Sequence, residues 1–404
     1  MRLLRITTNY TNYLKQFYNT RPELKQHPYA TQYQTLAADG FGWADFWTHA
    51  LKPFGYESWE LVANAKPMQT AWAREHGIRY DSQTWITDII AAQVKFFQPE
   101  ILFADDSAAF TPNFLRRLRQ QCPSIKLILG WCAPPDFQRA DTAYAAHDIV
   151  LSNEPVIVSY FRQQHRRAEY VKHAFEPRML SQSDLVQPDN TQFSFVGSLF
   201  SGAFHQERDQ MIRILLEQTP LEIWSNVYDL LLPHNQAILT MFRWIKRFPS
   251  IDTLTAKTPF LRRYNVLRTQ TEISFYARSH IIPKIHASVF GRQMFGTLRQ
   301  SLATLNHHGD LRWNSACNMR LFEATGMGTC LLTDWKANLS ELFEPDSEVV
   351  TYRSVEECQE KAKWLLNHPA KAAEIARAGQ SRTLREHTFA HRAEQLHSII
   401  LKNI

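Results

Sequence analysis

Arg320 and Glu323 stand three residues apart in the stretch CNMRLFEATGMGTCLLTDW, residues 317–335. On a helix that spacing sends both side chains to one side, toward a shared ligand. A guanidinium near a helix start offers charge-assisted donors to a phosphate, and a carboxylate one turn on accepts from sugar or ribose hydroxyls. An ion pair on a solvated helix face uses the same two residues, so the neighbouring elements decide between the readings. The motif runs on through a glycine turn at Gly326 and Gly328 into a short apolar strand over 329–333.

Several other polar residues fall where strands should end. Met294, Leu298 and Leu302 recur every four residues and predict a helix that enters a strand over 302–305. That strand stops at NHHGD, 306–310, which sets His307 and His308 where they can meet a phosphate or a pyrimidine. The surroundings add no further ligands for a metal. FVGSLFSGAF reads as a strand over 193–196, a glycine loop over 197–202 and then a helix. Gly197 allows close backbone approach to a ligand, and Arg208 early in the helix adds donors for a phosphate.

In the first half, Trp43, Phe46, Trp47 and Leu51 share helical spacing, with Asp45 among them. A partly buried carboxylate there could act as a base of raised pKa; the alternative is a helix-start carboxylate facing solvent. Strands are expected over 3–8, 56–64, 101–106 and 147–151, with a helix capped at Ser152 or Asn153. RQQHRRAEY, 162–170, is the most basic patch and reads as a solvated helix face. Later, helices are expected over 355–366 and up to Gly379. A last one from Thr388 carries Phe389, Ala393, Leu396 and Ile400 on one stripe that must pack on something. The order of 228–279 does not follow from its pattern.

This alternation predicts two α/β units with mostly parallel sheets, the second starting near Thr191. No GxGxxG or Walker loop is present, which argues against dehydrogenase and ATPase readings. At 404 residues, 44% apolar and 21% charged, the chain can bury two cores. A net charge of +6 with no dense basic run argues against nucleic-acid binding. Five cysteines without CxxC, and no HExxH, point to reduced thiols, a cytoplasmic setting and no metal. Neither a signal-peptide shape nor a membrane span is evident.

The pieces NHHGD, CNMRLFEATGMGTCLLTDW, LSELFEPDSEVVTYRS and AGQSRTLREHTFAHRAEQL together resemble the CgeB-like branch of bacterial GT-B glycosyltransferases, with a C-terminal module of the glycosyl transferases group 1 type. FVGSLF…HQER extends the likeness to about Phe193. ITTNYTNYLKQFY, DGFGWADFWTHAL and WAREHG resemble the N-terminal part of such proteins. The resemblance implies two facing Rossmann-like domains with a deep cleft: 1–190 on the acceptor side, 191–385 binding the nucleotide-sugar, and 386–404 a helix returning to the first domain. It implies sugar transfer from a UDP-, GDP- or dTDP-sugar to a hydroxyl or peptide side chain, with no metal or other cofactor. The alternatives are a GT-B epimerase or hydrolase, or a non-catalytic scaffold. By similarity Arg320 touches the diphosphate, Glu323 the ribose or sugar, and Asn318 shapes the helix entrance. His308 and the Gly197 loop lie against the nucleotide. Many retaining relatives carry a second glutamate where Leu331 stands, so retention does not follow. An inverting route needs a first-domain base, with Asp45 the leading candidate ahead of Asp106 and His147.

Overall fold

The computed structural model describes residues 1–133, 137, 140–181, 192–199, 206–233, 235, 237, 274–309 and 313–404. The expectations for 200–202, for Asp310, for the 190/191 boundary and for most of 228–279 lie outside these residues. The first unit comprises β1 (Arg2–Thr7), α1 (Thr11–Asn19), α2 (Tyr29–Ala38), α3 (Phe46–Leu51), β2 (Glu57–Val62), α4 (Lys66–Glu75) and α5 (Trp85–Phe97). It continues with β3 (Ile101–Ala104), α6 (Pro112–Gln121), β4 (Leu127–Trp131), α7 (Ala140–Ala143), β5 (Ile149–Ser152), α8 (Pro155–Gln163) and β6 (Ala168–Tyr170). The second unit opens with β7 (Gln192–Val196), α9 (Gln206–Gln218), β8 (Leu221–Trp224), α10 (Val227–Leu231), β9 (Ile285–His286) and α11 (Gly291–Gln300). Then follow β10 (Ser301–Asn306), α12 (Arg320–Gly326), β11 (Cys330–Asp334), β12 (Val350–Tyr352), α13 (Val355–Asn367), α14 (Pro369–Glu386) and α15 (Phe389–Leu401).

Each unit holds a parallel six-stranded sheet, ordered β2-β1-β3-β4-β5-β6 and β12-β11-β10-β7-β8-β9. Helices cover both faces, which is why ILFA, LILGW and IVLS are buried at every position rather than alternating. The chain reverses direction across each sheet beside β1 and β7. Such switch points open a crevice at the strands' carboxyl ends, between β1 and β3 and between β7 and β10. Inside the first sheet Arg5 bonds Glu60 at 2.7 Å and Asp105 at 2.7 Å, so its buried charge is matched by two carboxylates.

One apolar cluster runs through both units, from Leu3, Trp43 and Phe103 to Phe175, Phe295, Phe322 and Phe389. The chain leaves the first unit past Phe175 and returns beside it. Phe175 N–H donates to His387 O at 2.8 Å, and Phe389 N–H donates to Phe175 O at 3.0 Å. Helix α15 then lies on α3, with the Phe389 ring 5.1 Å from Phe46 and 5.3 Å from Trp47. Phe389, Ala393, Leu396 and Ile400 are all buried, so the terminal stripe has its partner in the first unit.

Three local expectations need correction. Gly379 does not end a helix; α14 runs through it to Glu386. The glycine is there for space, since a Cβ would lie 2.4 Å from Glu348 O. The cap of α8 is neither Ser152 nor Asn153 but Glu154, whose side chain accepts from Val156 N–H at 3.3 Å. The basic patch is not one helix face, because α8 stops at Gln163 and Ala168–Tyr170 forms the edge strand β6.

Gly326 ends α12 against the Phe175 ring, and a Cβ there would meet ring carbons at 2.3–2.6 Å. Gly326→Ala is expected to destabilise the fold by about 1–3 kcal/mol, the usual cost of overpacking. Urea unfolding measures this; an unchanged midpoint and slope would show that the contact is not tight.

Candidate active site

Helix α12 delivers Arg320 and Glu323 to the carboxyl edge of β7. Arg320 Nη2 donates to Val196 O at 3.1 Å, and Nη1 lies 2.9 Å from Glu323 Oε2. Glu323 is 8% exposed. Burial pushes its carboxyl above the ordinary range, and Arg320 pulls in the opposite direction. The pair is therefore an ion pair, but one inside the crevice rather than on a solvated helix face.

The neighbouring polar residues are fixed by their own networks. Asn318 Nδ2 donates to Asn306 Oδ1 at 2.7 Å, and Asn306 Nδ2 donates to Thr333 Oγ1 at 2.9 Å. His308 Nδ1 lies 2.6 Å from Asp334 Oδ1, which also accepts from His308 N–H at 3.1 Å. Lys336 Nζ is 3.1 Å from Asp334 Oδ2. Burial works against the Asp334 charge, but His308, His307 and Lys336 outweigh it and hold the carboxyl well below its usual range. His308 is buried with Nε2 unbonded among the described residues. Arg208 bonds His307 O at 2.6 Å and Ser198 O at 3.3 Å, joining the loops after β7 and β10. Gly197 follows Val196, the residue that receives Arg320.

Gly197, Arg208, His308, Asn318, Arg320 and Glu323 thus gather at the β7–β10 switch point. Asp45 stands elsewhere, at the start of α3. Its oxygens are taken by Arg178 Nη2 at 2.9 Å and His49 Nε2 at 3.1 Å. Asp106 closes its own loop, accepting from Ala108 and Ala109 N–H at 2.9 Å and from the Thr8 hydroxyl. His147 sits under β4 against Gly130, and burial pushes its imidazole down to about 4.

Two first-unit residues that sequence reading passed over face this site. Tyr10, 69% exposed, begins the segment after β1. Its ring packs edge-on 5.6 Å from Phe41; desolvation raises its hydroxyl pKa, and the Glu323 charge is among the influences that add to the rise. Glu154, after β5, is fully buried and its pKa is raised by that burial. Val156 N–H, Ser315, Cys317 and the His308 ring oppose the rise. Beside it Asn153 Nδ2 donates to Cys317 O, pinning the two units together. The signal for Tyr10 was an aromatic just past a strand's carboxyl end; for Glu154, no sequence feature separates it from an ordinary helix cap.

Among the described residues no group of three His, Cys, Asp or Glu side chains is arranged to hold a metal, and no helix is long and apolar enough to cross a membrane.

Residues 266–398 match a family described as glycosyl transferase-like. A comparison with curated proteins finds no match. Among solved structures, Anabaena HepE in complex with UDP and glucose shares 10% identity over 100% of both chains, with a TM-score of 0.55. Sucrose-phosphate synthase from Thermosynechococcus elongatus shares 9% over 100% of this chain and 98% of that one, at 0.54. A glycosyltransferase from Rickettsia africae shares 10% over 100% and 99%, at 0.53. The two parallel sheets and these alignments give the chain a GT-B fold.

Asp334→Asn keeps an acceptor for His308 but leaves Lys336 beside a neutral amide. It is expected to cost about 1–3 kcal/mol of stability near neutral pH. The native carboxyl titrates below its unfolded value of 3.8, so this contribution is present above that value and is lost as pH falls through the native pKa. Denaturant titrations across pH should show the gap between variant and wild type closing only in strong acid. A gap that closes between neutral and mildly acidic pH would refute the assignment.

Proposed function

We propose that the protein transfers a sugar from a nucleoside-diphosphate sugar to a hydroxyl or peptide side-chain acceptor without a metal, as a member of the CgeB-like branch. The observation that carries this reading is the buried Arg320–Glu323 pair at the β7–β10 switch point, facing the first unit. Arg320 supplies charge-assisted donors to the diphosphate, where negative charge grows as the bond from sugar to phosphate breaks. Glu323 accepts from a ribose or sugar hydroxyl. His308, held by Asp334, and the backbone at Gly197 line the nucleotide side; Asn318 sets the entrance to α12.

The acceptor oxygen bonds to the anomeric carbon, its proton passes to a base, and the nucleoside diphosphate leaves with the bonding pair. That base comes from the first unit in this reading. Asp45, tied to Arg178 and His49, is the candidate to test. UDP is the first nucleotide to try, because the Anabaena relative is described in complex with it.

Calorimetry with UDP, GDP and dTDP, and donor hydrolysis with the matching sugars in the presence of a chelator, test the proposal. Arg320→Ala is expected to weaken nucleoside-diphosphate binding by about 1–3 kcal/mol. Glu323→Gln should impair turnover while leaving the unfolding transition in place. A folded protein that binds none of the three nucleotides would defeat the reading, and unchanged affinity in Arg320→Ala would remove that residue from its role.

A further inference from the structure

A second polar cavity, of about 320 Å³, lies where the chain crosses between its units. Tyr170 and Lys172 line it from the first unit; Glu341, Glu386, His387 and Arg392 line it from the second. None of the residues placed in the donor site borders it.

Its charges are unevenly matched. Arg392 is 7% exposed, yet its bonds go to neutral acceptors: Nε to His173 O at 3.2 Å, Nη1 to Glu386 O at 3.4 Å and Nη2 to His387 Nδ1 at 3.0 Å. The last bond fixes the imidazole, because an arginine N–H needs a lone pair on Nδ1. The His387 proton then sits on Nε2 and is donated to Leu342 O at 2.9 Å. His387 is therefore neutral and supplies no charge. Lys172 is half-buried, and its ammonium makes no hydrogen bond or ion pair among the described residues. Glu386 is already held by Arg382 at 2.8 Å and Arg385 at 2.9 Å. Two cations thus face the cavity against one uncommitted carboxylate, that of Glu341. A buried guanidinium without an anion is unfavourable unless a ligand completes it, and Arg392 has N–H donors left over.

We propose that this crossing cavity binds a small phosphate-type anion, held between Lys172 of the first unit and Arg392 of the returning chain. Its source is inorganic phosphate or a phosphate monoester, since both present the same tetrahedral oxygens. Occupancy ties the end of β6 to the start of α15, and so links anion binding to the relative setting of the two units.

The test is thermal unfolding of the Arg320→Ala protein, in which the donor site is weakened, at fixed ionic strength against inorganic phosphate, glycerol phosphate and chloride. A saturable rise in Tm is expected with a phosphate-bearing probe and not with chloride. Adding Lys172→Met should weaken the apparent affinity at least about tenfold, while Lys172→Arg retains it. Tighter response to glycerol phosphate assigns the site to a monoester; an equal or stronger response to inorganic phosphate assigns it to the free ion. No saturable response in Arg320→Ala, or wild-type affinity in Lys172→Met, overturns the proposal.

Discussion

The flat contact between Phe175 and Gly326 is the constraint on which the rest of the structure depends. Gly326 closes α12, the helix that carries Arg320 and Glu323, and Phe175 belongs to the segment by which the chain leaves the first unit. The same phenylalanine exchanges two backbone hydrogen bonds with His387 and Phe389, where the chain comes back. One residue therefore fixes both crossings and the foot of the site helix. With no Cβ at 326 the ring seats directly on the backbone of α12, leaving no yielding side chain between the two.

The site above that contact is built from charges whose partners are largely satisfied before any ligand arrives. Arg320 is divided between Val196 O and Glu323, and Asp334 between His308 and Lys336. Burial makes such arrangements costly, and their value lies in fixed orientation: dipoles already aimed need no reorganisation when charge develops. Arg208, bonded to the carbonyls of Ser198 and His307, joins the loops after β7 and β10 beside Arg320. Asn153 and Glu154 bring the first unit to Cys317 and His308, so the two units share a seam beside this site.

Much of this was legible because parallel sheets write a strong pattern. The buried strand at 101–104 is a continuous apolar run ending at Asp105 and Asp106, and the strand over 302–305 stops at Asn306 and the two histidines; those polar ends mark the crevices. The terminal stripe of Phe389, Ala393, Leu396 and Ile400 required a partner, and α3 is that partner. What local sequence could not carry were contacts made across long separations. Gly379 reads as a helix stop, yet its role is set by Glu348 O on a distant turn. Asp45 reads as a carboxylate among aromatics, but Arg178, far along the chain, decides its surroundings. The Asp334–His308 bond joins two strand ends that are unremarkable in isolation and adjacent only through β10 and β11.

A crystal structure of the protein soaked with UDP, GDP and dTDP together tests the account most directly. The account predicts diphosphate density within hydrogen-bonding reach of Arg320, between the backbone at Gly197 and the His308 loop, with a hydroxyl of the ribose or sugar on Glu323. Nucleotide bound elsewhere, with the Arg320–Glu323 pair unchanged and unliganded, would contradict it.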